Sequence, residues 1–516
     1  MEFLVLSPPV VTPAEPPSGA FLLTAGLSGW GHDAALLDLS LAFFYDLFRD
    51  APHPARAALD YLCHSRGGYD PEVHRSQTGH LHSFVSGFTS RFPGWKLTLM
   101  DIAPPGSIHQ PEELDRYFQD NDGPFVGVYE RVLVPWLETL KPRQVLVSVA
   151  YLSQLPGAVS LVRFLESRGV GSLVGGSLIN SLATTGHGFD SVKAVLSRLL
   201  VGDGSVLIPE TGGAPLLSKL AFPKLLLDAP YISSRPIVPF ALSSGCYWNR
   251  CLFCPDREMP YVSLPDAAIE QFAESIPEHM LDAGAVLHFL DSSIPPGRLR
   301  RYLEITRGCS LSFFGFARPT KQLLRDNLMR NAAEGGALML QLGVEGGSKA
   351  LLDRFDKGID PAVSESVVRA AAEAGIRTYL YMLFGLPGEG PSDRDATYAF
   401  AVRNSGHIDF CNLSLFNLPR YCELMERLDE FDIRVLDFPG GDDGIRLYRP
   451  FIVGETDQRA DARRFLKRFR AHPAIREAIL RTPRWFRAAH LALMTLPGRR
   501  FPGDPAVTDP SDPFRR

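Results

Sequence analysis

The sequence predicts an α/β fold in two parts: a Rossmann-like doubly wound sheet, then a partial (β/α)6 barrel followed by a C-terminal helical region. Three observations carry this. Short apolar runs alternate with helical stretches and end in glycines. The alternation restarts after a connector rich in Pro, Leu and Lys. The 516 residues exceed what one core fills, at roughly 100–200 residues per domain.

Residues 3–6 form a short apolar strand, turned by Pro8 and Pro9. The stretch 16–40, PPSGAFLLTAGLSGWGHDAALLDLS, gives a helix, a stop at Gly31 and a second strand ending at Asp38. Residues 144–150, QVLVSVA, are apolar and β-branched between polar neighbours, as a strand buried on both faces requires. A helix follows over 157–168, then a strand over 172–174 ending in Gly175 and Gly176. Another helix leads to a strand over 199–201 that ends in Gly202, Asp203 and Gly204. This first unit spans 1–210. Residues 41–140 interrupt its alternation with aromatic and charged helical stretches, and read as an insertion.

Residues 211–238 read as a linker. The second unit, 239–440, has candidate strands at 238–242, 286–290, 312–316, 338–343, 378–384 and 410–415. Helical stretches between them include 321–333, 364–374 and 393–404. Six such units suit a partial barrel, whose site is built at the strands' carboxyl ends. Residues 441–500 read as Arg-rich helices, and 501–516 as a disordered tail rich in Pro and Asp.

The formal net charge of −5 offers no basic field for nucleic acid. The N-terminus, MEFLVLSPPVV, lacks a basic region and reads as a first strand, not a signal peptide. No apolar run reaches the roughly 18 residues that span a membrane. The expectation is a cytoplasmic protein that binds neither nucleic acid nor membrane. The basic amphipathic helices at 459–481 and 482–500, with Phe465, Phe469, Trp485 and Phe486, read as a solvated capping face. They could also cover the barrel mouth and help choose the substrate.

Seven cysteines, an odd number without a signal peptide, argue against a disulfide framework. Three fall in SGCYWNRCLFCP, residues 244–255, directly after a strand and with the spacing C-x4-C-x2-C. Three thiolates on one loop can hold three irons of a cubane cluster, which leaves the fourth iron open to a substrate. Tyr247, Trp248 and Phe253 would shield it from water. A zinc site is the alternative; it needs a fourth ligand, from Cys309 or a distant histidine.

This loop resembles the cluster loop of radical S-adenosylmethionine enzymes. Their usual spacing is C-x3-C-x2-C with an aromatic before the last cysteine. Phe253 matches that aromatic, and the extra residue between Cys246 and Cys251 departs from the pattern. Later strand ends are similar to the family's as well. Asp291 closes LHFLD and Arg318 ends a strand in FGFARPT. LQLGVEGGSKALLDRFDKG carries Glu345 and Lys357, and YMLFGLPGE carries Gly385 and Gly388. The resemblance implies a [4Fe–4S] cluster on Cys246, Cys251 and Cys254. It also implies S-adenosylmethionine touched by Glu345 at the ribose or amino group, with Lys357 near the same face. The Gly385 turn would pass its adenine, and Phe253, Asp291 and Arg318 would complete the site. Taken singly, Glu345 is a carboxylate at a helix N-terminus, and Gly385 and Gly388 shape a turn.

The first unit resembles the cobalamin-binding domain that precedes the barrel in one large branch of that family. The matching pieces are LVLSPP, PPSGAFLLTAGLSGWGHD, SVAYLSQLPGA, LVGGS and LVGDG. Gly175, Gly176, Gly202 and Gly204 stand at successive strand ends, where they let a large flat ligand approach the sheet's carboxyl edge. The D-x-H-x-x-G signature that brings a histidine to cobalt is absent, and His32 reads as a turn residue. The resemblance therefore implies cobalamin with no histidine on its cobalt, faced instead by Tyr151, Gln154 or Leu155. A scaffold domain, or one for another ligand, is the plainer reading.

As activity, the resemblance implies reductive cleavage of S-adenosylmethionine to a 5′-deoxyadenosyl radical, hydrogen abstraction from an unactivated carbon, and methyl transfer from methylcobalamin. Its implied partners are a small-molecule or peptide substrate and a reductase, flavodoxin or ferredoxin as electron donor. One rival is a cobalamin-binding radical enzyme that rearranges, cyclises or oxidises its substrate. Another is a metal-binding scaffold or regulatory protein.

Overall fold

The computed structural model describes residues 1–65, 70–120, 122–309, 311–438, 444–455 and 457–483. The expected helix at 482–500, with Trp485 and Phe486, falls outside them beyond residue 483, as does the tail at 501–516.

In the first unit, β1 (Phe3–Ser7) and β2 (Ala34–Asp38) pair in parallel across α1 (Ser18–Gly29). The next helix, α2 (Leu39–Phe48), starts directly on β2 because Asp38 caps it, accepting the Ser40 and Leu41 N–H groups at 2.9 and 3.1 Å. Then come β3 (Gln144–Ser148), α3 (Leu155–Ser167), β4 (Ser172–Gly175), α4 (Ser177–Thr185) and β5 (Lys224–Leu225). The sheet is wholly parallel with order β4-β3-β1-β2-β5. Chain direction across the sheet reverses between β1 and β3, so the ligand crevice of this topology lies past their carboxyl ends.

Three details differ from the sequence expectation. The strand at 199–201 shrinks to one bridge between Leu199 and Val174. Ser197 at φ +41° and Gly202 at φ +112° bracket it, leaving too little extended backbone for a ladder. The expected linker supplies β5 and so finishes the first sheet. The insertion is not a separate body: Phe43, Phe44, Trp95, Phe125 and Tyr129 share one buried cluster with Leu4, Leu6, Val145 and Val147 of the strands.

The second unit runs β6 (Ile237–Phe240), α5 (Asp266–Ser275), β7 (Val286–Phe289), α6 (Pro296–Ile305), β8 (Ser312–Ala317), α7 (Leu328–Glu334), β9 (Ala337–Glu345), α8 (Pro361–Glu373), β10 (Arg377–Phe384), α9 (Pro391–Arg403) and β11 (Phe410–Leu415). Its six strands pair in parallel in chain order, and β6 does not meet β11, so the barrel is open. The single helix expected at 321–333 is broken by Asp326 and Asn327, at φ +55° and +54°. Val238, Phe240, Leu287, Phe289, Leu340 and Leu380 face the covering helices. By strand alternation, Ile237, Val286, Phe314, Tyr379 and Phe410 face the interior, where they join the buried cluster of the first unit. His288 is stacked on Phe314 with ring centroids 4.5 Å apart, and its Nδ1 lies 2.9 Å from the carboxylate of Glu15, which follows β1. The carboxyl edge of the first sheet is thereby tied to the barrel interior. Last come α10 (Gln458–Ala471) and α11 (Pro473–Arg481). No helix among the described residues is long and apolar enough to cross a membrane.

Candidate active site

Cys246, Cys251 and Cys254 lie on the loop that leaves β6, and all seven cysteines are free. Asp291, at the end of β7, holds the start of this loop: its carboxylate accepts the Leu242 N–H at 2.9 Å and the Ser243 hydroxyl at 2.5 Å. Asp291 is buried and spends its oxygens on the loop. Its geometry is that of a positioning residue.

The loop docks on the turn that follows β9. Trp248 Nε1 donates to the Asp356 carbonyl at 2.7 Å and Leu252 N–H to the Phe355 carbonyl at 3.1 Å. Arg250 pairs with Asp356 at 3.0 Å. Gly358 makes the fit possible: at φ +65°, its absent Cβ would fall 1.9 Å from the Trp248 ring.

A charged group stands beside the thiols. Glu345 ends β9 at φ +60°, a left-handed conformation costing about 1–3 kcal/mol in a non-glycine residue. It places its carboxylate 2.8 Å from Lys357 Nζ, and both are largely buried. Burial pulls the Lys357 ammonium down, but Glu345 and Cys251 more than offset this and hold it above its ordinary value. Arg318 lies over the Trp248 and Tyr247 rings at 4.3 and 5.6 Å, and donates to the Lys357 carbonyl. Lys357 lies 5.9 Å from the centre of the Phe253 ring. Burial raises the Cys251 thiol, against the opposite pull of Lys357 and Arg318, and pushes Cys254 up to about 12.

These residues fit an iron–sulfur cluster: three free thiols on one loop are the donor set of a cubane, one thiolate per iron. Arg318 Nε, Tyr247 Oη and Asn249 Oδ1 are buried at this loop without hydrogen-bond partners among the described residues, and so are ready to meet a polar ligand.

The Gly385 turn lies at the end of β10. Gly385 N–H donates to Glu389 at 2.7 Å, and Gln458 of α10 pins the turn through the Leu386 and Glu389 carbonyls and the Gly388 N–H. Burial drives Glu389 up to about 7, although Gly385 N–H and Arg394 pull it down.

The first unit is less open than its glycines suggest. A Cβ on Gly176, at φ +112°, would lie 2.4 Å from the Val149 carbonyl. One on Gly175 would meet the Leu200 carbonyl at 2.9 Å, and one on Gly204 a Leu23 methyl at 2.9 Å. These three serve packing. Gly202, also at φ +112°, has nothing within 4 Å. Gln154 is buried and fully engaged, accepting from Ala150 and Tyr151 N–H and donating to Ser7 Oγ and the Pro8 carbonyl. It locks the two loops of the crevice together. Leu155 is buried in the core. Tyr151 is exposed at the lip of a cavity of about 770 Å3 beside Glu15. One wall of that cavity, Thr98, Met100–Ala103 and His109, comes from the insertion, and the rest from the loops that follow β1 and β3. Gly202 and Val201 line a second cleft, of about 420 Å3, against Met259, Pro260 and Val262 of the barrel. Val201, Met259 and Val262 are exposed apolar groups there. His32 bonds Glu2 at the amino end of the sheet, away from both cavities.

Sequence reasoning missed the insertion's share of the cavity, the 259–262 wall and the Glu15–His288 link. Only long-range packing creates them.

Among known proteins, the chain matches no family profile and no curated protein. Solved structures do match. OxsB, a cobalamin-dependent S-adenosylmethionine radical enzyme, with aqua-cobalamin and S-adenosylmethionine bound, gives a TM-score of 0.56 at 12% identity, over 90% of this chain and 66% of that one. With aqua-cobalamin alone the score is 0.53, over 88% of this chain, which spans only 64% of OxsB. The fold is therefore that of cobalamin-dependent radical S-adenosylmethionine enzymes. It is shared over nearly full length with the radical S-adenosylmethionine methyltransferase TsrM from Kitasatospora setae, with cobalamin and a [4Fe–4S] cluster bound. There the TM-score is 0.53 at 15% identity, over 93% of this chain and 91% of that one.

Proposed function

We propose that this chain is a radical S-adenosylmethionine enzyme that also binds cobalamin and methylates an unactivated carbon of a small-molecule or peptide substrate. The observation that carries the reading is the three-cysteine loop docked on the Asp356–Gly358 turn, with Lys357, Glu345 and Arg318 beside the thiols. When bound, the cluster supplies an electron for cleavage of S-adenosylmethionine, and cobalamin carries the methyl group.

The chain's own residues do the rest. Cys246, Cys251 and Cys254 hold the cluster, and Asp291 fixes the loop that presents them. Tyr247, Trp248 and Phe253 exclude water, which raises the effect of every nearby charge. Glu345 and Lys357 offer opposite charges to the amino-acid end of S-adenosylmethionine, with Arg318 behind them. The Gly385 turn, pinned by Glu389 and Gln458, bounds the far side. Tyr151 stands at the lip of the larger cavity beside Glu15, and the cleft between Val201–Gly202 and Met259–Val262 offers an apolar face to a flat ligand. The cleft's position between the two units supports the cobalamin reading. A reductase, flavodoxin or ferredoxin would deliver the electron.

The test is anaerobic reconstitution with iron, sulfide and cobalamin, then reduction with S-adenosylmethionine present. 5′-Deoxyadenosine is expected, together with a cobalamin spectrum that survives gel filtration. Cys246→Ala, Cys251→Ala and Cys254→Ala should each lose the brown colour and the product. Protein with one zinc and no iron, or no 5′-deoxyadenosine, would sink the proposal. Once a substrate is in hand, product mass decides the chemistry: a gain of one methylene for methylation, none for rearrangement.

A further inference from the structure

The Arg-rich helix α10 has no part in the site described so far beyond Gln458. Its sequence places Arg459, Arg463, Leu466 and Arg470 at successive spacings of four, three and four residues, which is one helical face. The neighbouring face, Ala462, Phe465 and Phe469, packs into the barrel's outer core. The arginine face consequently borders the carboxyl end of β11, the last strand of the open barrel. Together they form a groove of about 420 Å3 lined by Arg459, Arg463, Arg470, Ser414 and Asn417, with no carboxylate in its wall.

Three features separate this groove from an ordinary solvated basic face. Arg459 Nε is buried without a hydrogen-bond partner among the described residues. Burial, then the neighbouring Arg463, draws the Arg459 guanidinium below its ordinary value, against the opposite pull of Asp457. That carboxylate already caps the Ala460 N–H at 3.0 Å. No strand among the described residues pairs with the outer edge of β11 beside the arginines. Thr482 Oγ1 takes the Cys411 N–H at 3.1 Å on the unpaired side of β11. Alternation along the strand turns Leu413 and Leu415 N–H the same way, toward the groove. Clustered guanidinium groups with backbone donors are how proteins hold oxyanions.

We propose that this groove binds a multiply charged oxyanion, a phosphate or diphosphate, carried by the substrate. The substrate enters by the open side of the barrel with its anionic end on Arg459, Arg463 and Arg470. Its carbon skeleton reaches past Ser414, which Asn412 bonds at 3.3 Å, into the interior lined by Phe316 and Tyr381. The inference rests on the proposed radical chemistry for its substrate role, while the anion site itself stands on the groove.

The test measures binding to the full-length reconstituted protein by calorimetry, at fixed ionic strength. Its probes are inorganic pyrophosphate, inorganic phosphate and phenyl phosphate. Saturable binding is expected, with phenyl phosphate at least ten-fold tighter than inorganic phosphate because its ring reaches the interior. Arg463→Ala and Arg470→Ala, both exposed positions that leave the core intact, should each weaken pyrophosphate binding about ten-fold, while iron content stays as in the parent. Arg463→Lys should restore part of the loss. No saturable binding, or binding unchanged in both alanine variants, overturns the anion site. Equal affinity for phosphate and its phenyl ester overturns the substrate role. None of these outcomes bears on 5′-deoxyadenosine formation, so failure here is distinguishable from failure of the radical reading.

Discussion

Both units of this protein end their strands in glycines and carboxylates, yet the two carboxyl edges use them differently. At the barrel edge the marked residues gather: Arg318, Glu345 and Lys357 stand together beside Cys251 of the cluster loop. At the first sheet's edge they mostly turn inward. Gly175, Gly176 and Gly204 let backbone and side chains approach closely, and Gln154 ties loop to loop. Only Gly202 and Tyr151 face open space. Charged side chains are costly to bury without purpose, so their clustering beside three thiols marks a site. Glycine is permitted wherever space is short, so its position alone does not separate ligand from packing.

The sharpest way to break the barrel half of this contrast is Gly358→Val. The new Cβ overlaps the Trp248 ring, and a β-branched residue is forced to φ +65°. The combined cost is about 5 kcal/mol. The cluster loop should undock, seen as lost iron and a lowered unfolding midpoint. Iron retained at the parental level would refute the docking argument. Glu345→Gln comes next. It leaves the buried Lys357 ammonium without its carboxylate, a loss of about 4 kcal/mol. S-adenosylmethionine affinity should fall with stability, and Lys357→Met in the same chain should recover stability but not affinity.

Glu389 offers a pH-dependent version. Its carboxyl group sits at about 7 in the folded protein against an ordinary 4.5. Between those values the folded chain keeps a proton that the unfolded chain has lost. The contribution of Glu389 to stability is therefore greatest below pH 4.5 and falls as pH rises through about 7, by about 3 kcal/mol in all. Glu389→Gln keeps an oxygen for Gly385 N–H and removes the titration. Urea unfolding at pH 5 and pH 8 should show a smaller decline for the variant; equal declines would sink the argument.

The contrast also explains what the sequence made legible. All six barrel strands were readable from apolar runs, and Cys251, Arg318, Glu345 and Lys357 were read as one site, because side-chain chemistry and strand ends are local facts. The β5 edge strand was not readable: its two residues pair only because β2 offers an edge, so no periodicity announces it. Asp291 was assigned to the cofactor, but its oxygens go to Leu242 and Ser243, a choice fixed by how β7 sits beside β6. The insertion's wall at Thr98, Met100–Ala103 and His109 reaches Tyr151 through packing between residues some fifty positions apart in the chain.

Within the first sheet, a pair of alanine substitutions sharpens the division between packing and ligand. Gly176 and Gly202 share φ +112°, so the backbone strain of an added Cβ is common to both. Only Gly176 meets a wall, the Val149 carbonyl at 2.4 Å. Gly202→Ala should then cost about 1 kcal/mol from strain alone, and Gly176→Ala about 2 kcal/mol more. The ranking for cobalamin should invert. Gly202→Ala intrudes on the cleft facing Met259 and Val262, so it should weaken retention of added cobalamin while leaving the fold nearly intact. Gly176→Ala should lose cobalamin only to the extent that it loses structure, a dependence visible when retention is plotted against the fraction folded. Should both variants fall on that single line, Gly202 too would be a packing residue, and the ligand face of the first sheet would narrow to Tyr151 and the walls of its cavity.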